Sequence, residues 1–263
     1  MLVKDLIDYI RKKFPEDIQE SYDNSGIQVY RADDKLTGVL LALDIHEKVI
    51  DDALRFGCNL IITHHPLFFK SIKSVTTESF TGRIINYLIK NNISHYAIHT
   101  NLDRVYWNKH AQMLGLLKIG VIDPYLNTGY GYGAYGEFPD ELYMEDVLRL
   151  VKKTFGNEYL IYTGELDKKI KSVAIMPGSG SSLVEKMTEE KVDLYMCGDI
   201  KYHDAFLAEV NGLNLIDISH FSSEIHYMTF LSVDLQDYLT KASVANGIKL
   251  FTLANNPLKC FQG

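Results

Sequence analysis

The chain is 263 residues long, which is enough for one large domain or two smaller ones and for a substantial core. Hydrophobic residues make up 46% and charged residues 23%, so collagen-like, disordered and low-complexity proteins are excluded. The balance of 34 acidic against 27 basic residues gives a formal net charge of -7, which disfavours non-specific binding to nucleic-acid phosphates.

The first half of the chain alternates apolar runs with helical patterns. Apolar residues recur at helical spacing over about residues 3 to 14, and Pro15 ends the predicted helix. After a turn at 23–26, strands are predicted at 39–43, 60–62 and 93–98, with helices at about 46–56 and 79–90 between them. This alternation of strand and helix is typical of a mostly parallel sheet.

The second half repeats this alternation after a stretch rich in Gly and Tyr. The stretch TGYGYGAYGEFP follows Asp123–Pro124 and is interpreted as a lobe boundary that leads into a strand. Strands are then predicted at about 158–163, 171–176, 193–196 and 213–218, and helices at about 143–154, after Gly178, at about 202–211 and from about 222. We expect an α/β protein of two lobes with mostly parallel or mixed sheets and helices on their faces. The expected divisions are a first lobe at 1–124, a second at 125–190, and a segment at 191–263 that packs toward the first lobe.

Polar side chains stand at or just beyond the ends of the predicted strands. Three strands of the first half end at Asp44, at His64–His65 and at His99–Arg104, and two of the second half end at Gly198–Asp199 and Ser219–His220. Five of the nine histidines lie at or near these ends, at positions 64, 65, 99, 203 and 220. Because ligands bind where the carboxyl ends of parallel strands open into a crevice, we expect a functional site there.

His64 and His65 are adjacent, and on an extended strand they would point to opposite faces. Both can bind one metal cluster only where the strand has ended, and Pro66 favours this by restricting His65 to extended conformations. The alternative is that the two imidazoles cap the end of the strand and form only local hydrogen bonds.

One further histidine and two carboxylates complete a candidate metal site. His220 and Glu224 are one helical turn apart and share a face if the helix starts by residue 220, although a surface His–Glu contact would have the same spacing. Asp103 suits a carboxylate that bridges two cations. Imidazoles and carboxylates without a thiolate favour zinc, iron, manganese or cobalt over copper(I) or an iron–sulfur cluster. The remaining alternative is that these histidines pack at strand ends and bind no metal.

Other residues are candidates for supporting roles. Metal-bound imidazoles usually donate their second N–H to a carboxylate or carbonyl, so Asp44 and His99 are interpreted as such outer groups, with an ordinary buried histidine as the alternative for His99. The turn Gly178–Ser182 joins a strand to a helix, where it would be a phosphate cradle or a plain turn.

Three side chains after one predicted strand offer a carboxylate, an ammonium and an imidazole. These residues, Asp199, Lys201 and His203, are candidate catalytic residues for proton transfer and substrate orientation. Cys197 beside them is interpreted as a small buried hydrophobe rather than a nucleophile.

Six motifs in chain order resemble those of the NIF-three-like family, whose members are also labelled GTP cyclohydrolase 1 type 2 homologues. The motifs are YDNSGIQV, LIITHHPLFF, HTNLD, GSGSS, CGDIKYHDA and SHFSSE, and the resemblance covers nearly the whole chain. It implies a dinuclear centre with two divalent metal ions per chain. The ligands that the resemblance implies are the five already selected at strand ends, namely His64, His65, Asp103, His220 and Glu224.

The chain departs from the family pattern near these ligands. Tyr22 stands where the family usually has Trp, Asp199 where it has Glu, and Phe221 where it has Tyr. All five ligand positions are kept, so these departures bear on supporting and substrate contacts rather than on metal binding. The length indicates the short form of the family, without the domain that some relatives carry between the two halves.

The resemblance also implies how the protein assembles and acts. Family members form toroidal homohexamers with metal sites that face an inner cavity. The first functional hypothesis is a metal-dependent hydrolase that acts through a metal-activated water on a small molecule, with the purine ring of a nucleotide such as GTP as the substrate that the family label suggests. The alternative is a toroidal binding or regulatory protein with a structural or sensory metal pair. If lysines lined the ring, such a protein could bind DNA.

The cysteines and the hydropathy indicate a cytoplasmic location. Cys58, Cys197 and Cys260 are odd in number and lack a CxxC spacing, which argues against a disulfide framework and a cysteine zinc site. No apolar run approaches the roughly 18 residues that a membrane span needs, and the amino terminus is typical of an amphipathic helix. We therefore expect no membrane partner.

Overall fold

A computed structural model of the chain describes residues 1–261 and divides into two compact units. The first unit comprises Met1–Val105 and Ile225–Ala254, and the second comprises Tyr106–Glu224 and the residues from Asn255 on. The chain therefore leaves the first unit at Tyr106, returns to it at Ile225 and joins the second unit again at Asn255.

Eleven strands and nine α-helices form the two units within the described residues. The strands are β1 (Gly26–Val29), β2 (Val39–Ala42), β3 (Leu60–Thr63), β4 (Ser94–Ala97), β5 (Leu117–Tyr125), β6 (Tyr130–Tyr143), β7 (Ile161–Thr163), β8 (Lys169–Ser179), β9 (Leu194–Gly198), β10 (Asn214–Asp217) and β11 (Ile248–Leu250). The helices are α1 (Val3–Lys13), α2 (Glu47–Arg55), α3 (Phe80–Lys90), α4 (Thr100–Val105), α5 (Lys109–Met113), α6 (Met144–Phe155), α7 (Val184–Glu189), α8 (Tyr202–Val210) and α9 (His220–Lys241). Short 3₁₀ helices lie at Glu16–Ile18 and Ser181–Leu183.

The sheet of the first unit has the order β1-β4-β3-β2-β11, with β1 antiparallel and the other pairs parallel. Every residue of β2, β3 and β4 is buried, as expected for parallel strands that are covered on both faces. Thr63 at the end of β3 pairs with Ala97 at the end of β4. Residues that follow these two strands therefore emerge at one edge of the sheet.

The sheet of the second unit has the order β5-β6-β8-β9-β10-β7 and is mixed. Its parallel centre is formed by β8, β9 and β10, while β5, β6 and β7 join antiparallel. Cys197 near the end of β9 pairs with Asp217 at the end of β10. The turns that follow β9 and β10 therefore lie at the same edge.

The stretch rich in Gly and Tyr lies within the second unit, and from Tyr130 on it is part of β6. A Cβ on Gly131 would lie 2.4 Å from Val121 Cγ2, and one on Gly136 would lie 2.9 Å from the carbonyl oxygen of Leu117. These glycines therefore allow β5 and β6 to approach closely, which only a residue without a side chain permits.

The unit bounds differ from the divisions expected from the sequence. Residues 106–124 group with the second unit because β5 pairs with β6, and residues 191–224 group with it because β9 and β10 continue its sheet. The returning segment is therefore shorter than expected, from Ile225 to Ala254, and it adds β11 to the edge of the first sheet beside β2.

The α/β fold of two mixed sheets with helices confirms the predicted class. The helices and strands expected from periodicity are all present near their predicted bounds, and α9 begins at His220, two residues before the expected start. The strands β1, β5 and β11 and the helices α4 and α5 were not expected. Among the described residues, no helix combines the length and apolarity that crossing a membrane requires.

Candidate metal centre

His64 lies directly after β3 and is fully buried. Its Nδ1 donates to the carbonyl oxygen of Ile98 at 2.9 Å, so the other ring nitrogen faces away from that backbone. That nitrogen, Nε2, lies 3.5 Å from Oδ1 of Asp103, which stands on α4 in the same unit. The structure thus brings together His64 and Asp103, two of the predicted ligands.

His65 is held by a carboxylate from the neighbouring strand end. Its Nδ1 donates to Oδ1 of Asp44 at 2.8 Å, and Asp44 follows β2. The carbonyl oxygen of His65 accepts a hydrogen bond from Oγ1 of Thr63 at 2.7 Å. Asp44 thus makes the contact expected of an outer group, which fixes the ring and leaves Nε2 as its ligand atom.

His99 joins the same cluster as the two adjacent histidines. One ring nitrogen from each of His64, His65 and His99 lies within 4.8 Å of the others. The Nδ1 of His99 donates to Oδ1 of Asp23 at 2.8 Å, and the backbone N–H of Thr100 donates to Oδ2 of Asp23 at 3.0 Å.

Asp23 is a functional candidate that sequence reasoning did not assign. Burial opposes its charge, but hydrogen bonds from His99 and Thr100 outweigh burial and hold the pKa of this carboxyl well below its usual range. It therefore stays ionised and orients the His99 ring. The motif YDNSG contains it, but only its contact with His99, 76 residues away in sequence, reveals the role.

In the second unit, His220 and Glu224 form the pair that helical spacing predicts. Their Nε2 and Oε2 atoms are 2.9 Å apart on the first turn of α9. The Nδ1 of His220 donates to Oδ2 of Asp199 at 2.7 Å. The hydrogen bond with Glu224, aided by Asp199 and opposed by burial, raises the pKa of His220 to about 9.

The backbone around His220 is held in uncommon conformations. Asp199 and Ser219 both have positive φ angles, 57° and 64°, which cost non-glycine residues about 1–2 kcal/mol each. The Asp217 carboxylate accepts from the N–H of Ile200 at 3.1 Å and from that of Ser219 at 2.8 Å, so it ties both turns together. Such strain persists where the surroundings fix it, and it is common at functional sites.

Two glycines make room for this helix start. A Cβ on Gly178 would lie 2.3 Å from Oε1 of Glu224, and one on Gly198 would lie 2.6 Å from the backbone nitrogen of His220. The N–H of Gly178 donates to Oγ of Ser223, and the N–H of Gly180 donates to the carbonyl oxygen of Gly178. The Gly178–Ser182 turn therefore packs around Glu224, and these two amides bond within the protein rather than cradle a phosphate.

The three candidate catalytic residues have different surroundings. Within the described part of the chain, Asp199 is the one of the three that hydrogen-bonds a candidate ligand, His220. Lys201 and His203 are exposed at the start of α8, where the His203 ring stands edge-on to Tyr202 at 5.3 Å. Asp199 therefore has the geometry of an orienting group rather than of an acid or base that acts on a substrate.

The chemistry of the donor set fits divalent metal ions. In all four imidazoles described above, Nδ1 is bound to a carboxylate or carbonyl oxygen, which is the arrangement that prepares Nε2 as a ligand. Carboxylates stand beside His64 and His220. Cys197 is buried, and its pKa is raised to about 12, so it offers no thiolate.

Comparison with known proteins places the chain in a family. The family model described as Duf34/NIF3 (NGG1p interacting factor 3) matches residues 1–257. The chain belongs to the Duf34/NIF3 family. This confirms the resemblance that the six sequence motifs indicated.

Relatives of this Duf34/NIF3 protein carry names that refer to a GTP cyclohydrolase. A protein of Clostridium perfringens named GTP cyclohydrolase 1 type 2 homolog is 36% identical over 228 residues, which cover 85% of this chain and 87% of the relative. The GTP cyclohydrolase 1 type 2 of Helicobacter pylori is 31% identical over 245 residues, or 93% of this chain and 96% of the relative. The chain is thus homologous over nearly its whole length to proteins of that name.

A solved structure shows the same fold. Staphylococcus aureus protein SA1388 superposes with a TM-score of 0.89 at 28% identity, and 99% of each chain is covered.

Proposed function

We propose that this protein is a metal-dependent hydrolase that binds two divalent metal ions per chain. The proposed ligands are His64, His65, Asp103, His220 and Glu224. The observation that carries the proposal is that Nδ1 of each of the three ligand imidazoles is bound to an oxygen acceptor, so each ring presents Nε2. Zinc, iron, manganese and cobalt all suit this set of imidazoles and carboxylates.

The protein's own residues supply orientation and charge. Asp44, Asp199 and the carbonyl of Ile98 fix the tautomers of the three ligand imidazoles, since each accepts a hydrogen bond from Nδ1–H. When bound, a metal pair would lower the pKa of a coordinated water toward neutrality and so supply a hydroxide nucleophile. The carboxylates of Asp103 and Glu224 would balance the positive charge of the cations.

The substrate we propose is a purine nucleotide such as GTP, attacked at the imidazole part of its ring. The support for this proposal is the name that the Helicobacter pylori relative carries, together with 31% identity to this chain. Hydrolysis there would break a carbon–nitrogen bond of the ring, with the OH of water going to the carbon and its proton to the nitrogen that leaves.

Elemental analysis of protein purified without added metal or chelator tests the metal proposal first. We expect about two metal ions per chain in the wild type and their loss in a double variant, His64→Ala with Glu224→Ala. Asp103→Ala should lower both metal content and hydrolysis of GTP, since it removes a proposed ligand that lies 3.5 Å from Nε2 of His64. Full metal content in Asp103→Ala would refute the role of Asp103 as a ligand.

Turnover separates the hydrolase from a non-catalytic binding protein. The metal-loaded wild type should open the ring of GTP, which changes the ultraviolet absorption of the base. A protein that holds two metals but turns over neither GTP nor other purine nucleotides would instead be a binding or regulatory protein with a structural metal pair. We also propose the homohexamer that the family resemblance implies, and light scattering should give about six times the 30.0 kDa mass of one chain.

A further inference from the structure

Two buried hydroxyl groups make the same pair of hydrogen bonds beside candidate metal histidines, one in each unit. Oγ1 of Thr63 donates to the carbonyl oxygen of His65 at 2.7 Å and accepts from Nε2 of His95 at 2.8 Å. Oγ of Ser223 donates to the carbonyl oxygen of His220 at 2.8 Å and accepts from the backbone N–H of Gly178 at 3.0 Å. Each hydroxyl thus joins the backbone of a metal histidine to a donor in the unit's interior.

Burial strengthens these hydrogen bonds. Thr63 and Ser223 are both 0% exposed, so water does not compete for either hydroxyl. Burial lowers the pKa of His95 to about 3, so this ring is neutral and has one N–H. The Thr63 hydroxyl has one proton and donates it to the carbonyl oxygen of His65, which can only accept. The hydroxyl therefore accepts from His95, and the ring proton of His95 is on Nε2.

The two hydroxyls act where regular secondary structure ends or begins. His65 lies beyond the end of β3, where its N–H donates to the carbonyl oxygen of Leu43 and its own carbonyl accepts from Thr63. His220 follows Ser219, whose φ is positive, and begins α9. In both turns the hydroxyl fixes the backbone from which a ligand imidazole extends.

We propose that Thr63 and Ser223 are positioning residues for metal binding. Each keeps a ligand histidine in place by holding its backbone carbonyl, while Asp44 and Asp199 hold the rings. This inference rests on the proposed function. Loss of either hydroxyl should therefore lower metal affinity about 10- to 100-fold, the range typical of groups that orient ligands.

Thr63→Val tests the first hydroxyl because valine has nearly the same shape as threonine. Co²⁺ titration, followed by visible absorption of the bound metal, should show at least 10-fold weaker binding and an altered spectrum. Thr63→Ser keeps the hydroxyl and should restore both. Thr37→Val is the matched control, since Oγ1 of Thr37 donates to the carbonyl oxygen of Gly57 at 2.7 Å away from the metal histidines.

Ser223→Ala tests the second hydroxyl by the same titration. Thr188→Val is its control, because Oγ1 of Thr188 likewise donates to a carbonyl within its own helix, that of Val184, at 3.0 Å. If an apolar substitution prevents folding, Thr63→Cys and Ser223→Cys replace the hydroxyl by a weaker donor and should give a smaller loss in the same direction.

Urea unfolding of the metal-free variants separates positioning from general stability. A merely structural hydroxyl would lower the unfolding midpoint and leave the Co²⁺ affinity and spectrum of the folded protein at the control values, which would overturn the inference. Wild-type protein that binds two Co²⁺ ions in that experiment would still support the proposed function. A wild type that binds no Co²⁺ would overturn both.

Discussion

Gly178 is the position where a single added methyl group should separate metal binding from folding. Its φ is +67°, and a Cβ there would lie 2.3 Å from Oε1 of Glu224. Gly156 offers a matched control, because its φ is +69° and a Cβ there would meet nothing within 4 Å. Gly178→Ala and Gly156→Ala therefore both place a side chain at a positive φ of similar size, and only the first pushes on a proposed ligand.

The expected size of the effect follows from these distances. Both variants should lose about 1–2 kcal/mol of unfolding free energy from the left-handed backbone conformation. Ordinary van der Waals contact begins near 3.4 Å, so in Gly178→Ala the Glu224 oxygen must move by about 3.4 - 2.3 = 1.1 Å. A metal–oxygen bond is only about 2.0–2.2 Å long, so a shift of that size removes the ligand from its place. We expect about 10- to 100-fold weaker metal binding, or about 1.4–2.8 kcal/mol.

Zinc affinity and urea unfolding of the metal-free protein, measured on both variants and the wild type, provide the assay. The two variants should unfold at similar urea concentrations, while only Gly178→Ala should bind zinc more weakly. Equal zinc affinity in the two variants would refute the reasoning, because it would mean that the Glu224 carboxylate is not held against Gly178 when metal is bound.

Further predictions concern protonation and metal removal. Because the pKa of His220 is raised to about 9, zinc binding at pH 7.5 should release about one proton from this ring. Calorimetry of zinc binding in two buffers of different ionisation enthalpy should show this release as a difference between the two binding enthalpies. The same binding enthalpy in both buffers would contradict the prediction. The pKa of His95 falls from 6.5 to about 3 on folding, because the buried ring is held neutral. The unfolding free energy that this neutral ring contributes is fully present above pH 6.5. It should fall by about 1.4 kcal/mol per pH unit as the pH decreases from 6.5 toward 3. Urea unfolding of the metal-free wild type should show this slope between pH 6 and 4.5, and an equally steep slope in His95→Leu would count against it. Asp44→Ala should lower zinc affinity about 10-fold and change stability by no more than about 0.5 kcal/mol, since Asp44 is exposed and orients His65; unchanged affinity would exclude that role. Chelation of the metal should lower the thermal midpoint, because an ion that binds the folded state stabilises it, and an unchanged midpoint would mean that no metal is bound there.

Sequence reasoning found the strands of the sheet interiors and missed three of the four strands at the edges, all except β7. β2 and β3 are buried along their whole length, so each appears in the sequence as a continuous apolar run. β1, β5 and β11 have mixed burial and lie at sheet edges, so neither a continuous run nor a clean alternation marks them. The glycines of β6 were misinterpreted because close packing between two strands and a flexible boundary select the same residue type.

The candidate site was predictable where residues whose side chains can bind a metal stand at or near a strand end. His64, His65 and the i, i+4 pair His220–Glu224 carry ligand chemistry in their side chains, and parallel strand order brings such ends to one edge of a sheet. The residues that orient these histidines cannot be recognised from residue type and position in this way. Asp23 and Thr63 are common types that act through contacts set by the fold, across 76 residues to His99 and 32 residues to His95.

The Gly178 turn shows why residues that act through contacts set by the fold are hard to predict from sequence. In the sequence, Gly-Ser-Gly-Ser-Ser between a strand and a helix is compatible with an anion cradle, because glycines expose backbone N–H groups, and equally with a plain turn. In the structure, the same absence of a side chain lets the Glu224 carboxylate approach, and the Gly178 N–H is bound to Ser223. The local sequence pattern indicates only that another group approaches the turn closely. Whether that is a phosphate or the protein's own carboxylate depends on where α9 begins, which is decided by the positive φ of Ser219 and by the contacts of Asp217.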